Sequence, residues 1–313
     1  MNIIIDKNLF LAYCGLIASG YDLMDTSDPL VREVCRAAEQ ARLEKRLLDY
    51  FSYTRTGTIS VNPYYPRGSE LSSACFFLEK PLSDFLEFLR SCNAPEAEDP
   101  EFRAWIARLP GVIKTLSDDP ILSAAWELYS CELAQRFSGL SPQILALQQR
   151  LDDLHWGNGV RILFAPNLLQ SKYLADFSLA DSRLYLIAGE FSESAAIHEY
   201  LHPLLQKQRG AVLRLLRVHG LDRFLNTEKV AALGYLIGIS EEDQAHALEE
   251  CIVRAITGVL SGVSPEEYCK MNLEYGFTSL PEMMERLWQN SLEKKTLEEI
   301  LSDVISPCLT IDR

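Results

Sequence analysis

The stretch over residues 192–210, SESAAIHEYLHPLLQKQRG, constrains this chain more than any other. It holds His198, Glu199 and His202 in the spacing H-E-x-x-H. On an α-helix, residues four apart lie one turn above each other, so the two imidazoles can share one metal ion. Glu199 then sits beside the metal position, where a carboxylate can take a proton from a metal-bound water. The neighbouring residues support the helix. At about 100° per residue, Ile197, Tyr200, Leu201 and Leu204 form one apolar stripe, and His198, Glu199 and His202 fall opposite it. A core-filling histidine belongs within the stripe, and these two lie outside it. The competing reading is a solvated face with two surface histidines. With five histidines in 313 residues, the spacing is expected by chance about 0.006 times in such a chain, which favours the functional reading.

Length and composition bound what can surround that helix. A chain of 313 residues, 48% hydrophobic and 24% charged, buries a sizeable core and forms one large or two medium domains. The net charge of −14 and pI of about 4.9 repel phosphate backbones, so nucleic acid and anionic membranes are poor candidate partners and neither is expected. The eight cysteines contain no C-x-x-C pair and sit within apolar helical patterns, the usage of a reducing compartment. The apolar run at 8–20 is too short to span a bilayer, and Asp6 cancels the charge of Lys7 before it, unlike a signal peptide. A cytoplasmic protein is expected, opening on a short strand and a buried helix.

The rest of the chain separates by pattern. Residues 1–156 read as a helical N-terminal region. Asp28-Pro29 starts a helix expected to run through 51. An extended Thr/Tyr/Pro-rich segment at 52–67 follows, then helices over 70–92 with a break at Pro81. The acidic NAPEAEDP at 93–100 reads as a linker, and helices over 101–109, 121–137 and 142–155 close the region. The character changes at Gly157-Asn158-Gly159. VRILFAP, YLADFSLA and SRLYLIAGEF have strand composition, the last two joined by a short turn at Ala180-Asp181 as a β-hairpin. An edge strand there either binds an extended peptide by strand addition or only covers the motif helix. Pro203 should loosen the helix after His202, with Gly210 as its stop. Short helices over 211–217 and 228–236 follow. Ser240 caps a helix over 241–257 that Gly258 closes, and helices over 265–275, 281–288 and 292–305 end the fold.

A catalytic zinc takes three protein ligands and keeps one position open. The metzincin continuation, a glycine and a third histidine, is excluded because PLLQKQ follows His202. The gluzincin continuation, a glutamate on a later helix, is met by the helix at 240–258. There Leu248, Cys251, Ile252 and Ala255 form the apolar stripe, and Glu250 points away from it, with His246 one turn before and Arg254 one turn after. Glu249 lies about 100° from Glu250 and flanks the stripe, so a rigid helix cannot aim both at one ion. The pair IHEYLHPLL and EECIVRAITG resembles a group of bacterial gluzincin-like metallopeptidases over about 184–258. In that group a glutamate followed by Val-Arg-Ala supplies the third ligand, which the resemblance assigns to Glu250. Tyr235, His246, Tyr268 and Tyr275 are candidates for an oxyanion partner. His155 and His219 lack acidic neighbours at ligand spacing and read as structural, and Cys251 reads as core packing.

The expected protein is mainly helical α+β, with a zincin-like catalytic region at 157–313 and a small sheet before the motif helix. The expected activity is zinc-dependent hydrolysis of a peptide or protein substrate, with Glu199 as general base and His198, His202 and Glu250 as ligands. The rival is a non-catalytic helical binding or scaffold protein whose metal site is structural or degenerate.

Overall fold

A computed structural model describes residues 2–52, 68–92, 94–154, 156, 159–171, 175–236, 238–290 and 292–305. The expectations for the segment at 53–67, for Gly157-Asn158 and for His155 lie outside the described residues. The chain is mainly helical with one three-stranded sheet. Among the described residues no helix is long and apolar enough to cross a membrane. Two compact units divide it, Met1–Ala146 with Val160–Phe191, and Leu147–Gly159 with Ser192–Arg313. This division differs from a break at 156/157, because the strands pack with the N-terminal helices.

The first unit is built on α1 (Lys7–Ala18), capped by Asp6 and buried from Leu9 to Ile17. An amphipathic helix would show water one face. This one is apolar all round and therefore sits inside. Around it lie α2 (Pro29–Gln40), α3 (Lys45–Phe51), α4 (Gly68–Ala74), α5 (Leu82–Ser91), α6 (Pro100–Ile106), α7 (Leu109–Ser117) and α8 (Pro120–Arg136). The single helix expected up to Phe51 is two, since Arg42 adopts a left-handed φ of 46°. The described part of the expected linker belongs to the unit: Pro95–Glu98 form a short 3-10 turn, with Ala97 fully buried and Glu98 bridged to Arg90 and Arg103 at 2.6 Å.

The sheet runs β1 (Arg161–Pro166), β2 (Ala175–Ala180) and β3 (Arg183–Ala188), in spatial order β1-β3-β2. β2 and β3 form the expected antiparallel hairpin, Ala180 opposite Arg183. Its two-residue turn puts Asp181 and Ser182 at φ 51° and 58°, the left-handed pair that matches strand twist. β1 pairs parallel with β3, and in place of the short N-terminal strand expected, Ile3 makes a single β-bridge to Phe164. The outer side of β2 is engaged by α4. Ser73 donates to the Phe177 carbonyl at 2.8 Å, and Ser178 donates to the Ser73 carbonyl at 3.2 Å.

The second unit takes the end of α9 (Ser141–Asp152), then α10 (Glu193–Gln206), α11 (Arg209–His219), α12 (Thr227–Ala232), α13 (Glu241–Leu260), α14 (Pro265–Glu274), α15 (Leu280–Gln289) and α16 (Leu297–Glu299). A π-helical turn over Ile300–Ile305 continues α16. Its centre is α13, which packs against α10, α11, α14 and α15. Ser240 and Asp243 form a reciprocal capping box at its start. Gly258 does not end α13. It lies inside the helix, at a place where a Cβ would come within 2.7 Å of Met284 and 2.8 Å of Tyr268, which calls for glycine. Gly210 likewise lies in the first turn of α11 instead of ending α10.

In the first unit Gly15 of α1 lies against the Phe51 ring, where a Cβ has no room. Gly15→Ala is expected to cost about 1–3 kcal/mol through overpacking, read as a lowered urea midpoint with unchanged slope. An unchanged midpoint would contradict this packing.

Candidate metal centre

Two helices of the second unit build the site, and local sequence fixes each. Ser192 caps α10, accepting from the Ala195 amide at 3.3 Å, and Glu193 favours the first turn electrostatically. Ile197, Tyr200, Leu201 and Leu204 are buried as the stripe requires, each contributing about 1.5–3 kcal/mol of burial. α10 continues through Pro203 to Gln206, although Pro203 has no N–H for the Glu199 carbonyl. His198 and His202 therefore stay on one face of an unbroken helix, half-buried, with ring centroids 4.9 Å apart.

The two Nε2 atoms face each other at 3.2 Å. Glu250 reaches in from α13, with Oε1 3.5 Å from His198 Nε2 and Oε2 3.5 Å from His202 Nε2. One ligand atom from each residue lies within 4.8 Å of the others, so the group can hold a metal ion. A tetrahedral ion with bonds of about 2.0–2.1 Å has ligand–ligand edges of about 3.3–3.4 Å; the 3.2 Å between the two Nε2 atoms is close to such an edge, and the Glu250 carboxylate straddles the pair with one oxygen toward each histidine.

α13 is buried on nearly every side, so Glu250 faces the site and not water, with an exposure of 6%. A buried carboxylate needs a partner, and Arg254 one turn on provides it at 2.6 Å. Arg254 is itself fixed. It donates to Asn272 Oδ1 and to the Tyr235 hydroxyl, both at 2.9 Å, and its guanidinium carbon lies 4.9 and 4.6 Å from the ring centroids of Tyr235 and Phe277. Burial works to raise the Glu250 carboxyl, but Arg254 and the two histidines outweigh it and hold it well below the usual range.

The two histidines titrate in opposite directions. Burial lowers His198, with Glu250 opposing. Burial would lower His202 too, but Glu249 against Nδ1 and the charges of Glu250 and Glu199 push it up to about 9.

Comparison with known proteins finds no match. No family model, no curated protein and no solved structure matches the chain. The site is therefore read from its own chemistry.

Of the sequence-predicted residues, His198, His202 and Glu250 are brought together. Glu199 follows His198 on α10, half-buried, and its charge raises the His202 pKa. Among the oxyanion candidates, the Tyr235 hydroxyl is engaged by Arg254. Tyr268 packs beside Gly258, and burial raises its hydroxyl to about 12. His246 is largely buried near Glu249 and His202, its Nδ1 without a hydrogen-bond partner among the described residues. Tyr275 ends α14. His219 lies at the end of α11 against Phe224. Cys251 is fully buried against Ser279 at 3.7 Å, outside the cluster, its thiol pushed up to about 12. Three supporting residues escape sequence reasoning: Tyr235 and Asn272 as partners of Arg254, and Arg209, whose position after a turn carries no periodic signal.

Arg254→Met leaves Glu250 buried without its cation. The metal-free protein is expected to lose about 3–5 kcal/mol in urea denaturation, and a loss below about 1 kcal/mol would contradict the pairing. A second expectation concerns pH. His202 has a folded pKa above its ordinary 6.5, so its contribution is complete below about 6.5 and is lost as pH rises toward 9. Metal-free wild type should therefore lose its stability advantage over His202→Gln between those values. An advantage that grows over this interval would contradict the assignment.

Proposed function

We propose that this protein is a zinc-dependent metallohydrolase of the gluzincin kind, acting on amide bonds in a peptide or protein. The observation that carries the reading is the grouping of His198 and His202 on α10, their Nε2 atoms 3.2 Å apart, with the Glu250 carboxylate of α13, whose two oxygens each lie 3.5 Å from one Nε2, and with Glu199 next to His198 in the chain. Two nitrogens and one carboxylate are a zinc donor set that leaves a position open, whereas structural zinc sites are usually four-coordinate and cysteine-rich. No cysteine belongs to the group.

Each residue then has a role. His198 and His202 present neutral Nε2 lone pairs, and Glu250 supplies the single negative charge. Arg254 keeps the Glu250 carboxylate ionised and aimed inward. A bound zinc would supply Lewis acidity, lowering the pKa of a water at the open position toward about 7. Glu199, beside His198 on α10, would serve as the base that takes a proton from the attacking water and passes it to the amine released when the amide C–N bond breaks.

The test separates binding from chemistry. Purified protein is expected to hold one zinc, lost in His202→Ala. Glu199→Gln should keep the zinc and the fold while hydrolysis of a peptide library falls by about 10²-fold or more. Equal zinc content in wild type and His202→Ala would sink the metal assignment. Wild-type turnover in Glu199→Gln would sink the mechanism.

A further inference from the structure

One carboxylate in the second unit is wholly inaccessible and has no place in the ligand triangle. Glu249 on α13 has an exposure of 0%, beside a ligand at the next position. A carboxylate so buried is costly unless both oxygens are engaged. Its Oε1 lies 3.5 Å from His202 Nδ1, and its Oε2 lies 3.2 Å from Arg209 Nη1. Arg209 is anchored in turn at the start of α11. Its Nε and Nη2 donate to Glu242 Oε2 at 3.1 and 2.8 Å, and Nη2 also donates to the Glu242 carbonyl at 2.7 Å.

We infer that Glu249, held by Arg209, is a positioning residue for His202, fixing the ring so that Nε2 and not Nδ1 is presented to the metal. The inference rests on the metal-site reading above. The two nitrogens of His202 point to different partners. Nε2 faces His198 and Glu250, and Nδ1 faces Glu249. An ionised carboxylate can only accept, so it holds a proton on Nδ1 and leaves Nε2 as the nitrogen that gives up its proton to a metal. The same contact makes the imidazole a more basic ligand. Neither Glu249 oxygen is turned to the Nε2 pair, which separates its role from that of Glu250. The chain Glu242–Arg209–Glu249–His202 also joins α11, α13 and α10, so the ring is oriented from outside its own helix.

The experiment measures zinc affinity of the full chain by chelator competition in wild type, Glu249→Ala, Glu249→Gln and His198→Ala. Circular dichroism reports the fold, and the visible spectrum of the cobalt(II)-substituted protein reports the ligand geometry. Glu249→Ala is expected to bind zinc about 10–100-fold more weakly with an altered cobalt spectrum. Glu249→Gln, which keeps the shape and an acceptor, should show a smaller loss in the same direction. A purely structural Glu249 would lower the unfolding midpoint while leaving the affinity and cobalt spectrum of the folded protein unchanged. If Glu249→Ala fails to fold, the Gln variant decides. Zinc bound by wild type, lost in His198→Ala and held at wild-type affinity by folded Glu249→Gln would overturn this inference alone. A wild type that binds no zinc would overturn the metal-site reading beneath it as well.

Discussion

The second unit depends on one buried charge, the carboxylate of Glu250. Its position on the central helix α13 places it between two imidazoles and a guanidinium, with Arg254 at 2.6 Å and each histidine Nε2 at 3.5 Å. A lone carboxylate at that depth would protonate or destabilise the fold. Arg254 prevents this, and Tyr235, Asn272 and Phe277 in turn hold Arg254 in place. Much of the packing around α13 therefore keeps the Glu250 carboxylate ionised. Such an arrangement is preorganised, because the negative charge stands ready without a metal to stabilise it.

The same logic explains the paired acids in the sequence Glu249-Glu250. Adjacent residues on a helix point about 100° apart, so the two carboxylates face different neighbours. One meets the Nε2 atoms, and the other meets the Nδ1 side of His202 and Arg209. One helix thus addresses both nitrogens of a single ring on its neighbour. The opposed pKa shifts of His198 and His202 follow from that asymmetry, since only His202 has a second carboxylate against its outer nitrogen.

What the sequence makes legible follows periodicity and local chemistry. The i,i+4 histidines opposite an apolar stripe, the capping box at Ser240 and the hairpin around Asp181 all rest on contacts within a few residues. Glu250 was reachable by helical phase together with family resemblance. Long-range contacts were not legible. The sheet's packing with the N-terminal helices follows from Ile3 bridging to Phe164 and from Ser73 bonding to Phe177, pairs far apart in sequence. Gly258 reads locally as a helix stop, but it is a point of close approach to Met284 and Tyr268. Arg209 carries no signal, because nothing in its own neighbourhood reveals that Glu242 and Glu249 lie opposite.

The central claim is that His198, His202 and Glu250 together hold one zinc. X-ray absorption at the zinc edge of the metal-loaded protein tests it most directly. The account predicts nitrogen and oxygen scatterers at about 2.0–2.1 Å with the outer-shell pattern of two imidazoles and no sulfur. Thiolate scattering at about 2.3 Å, or a shell without imidazole, would contradict it.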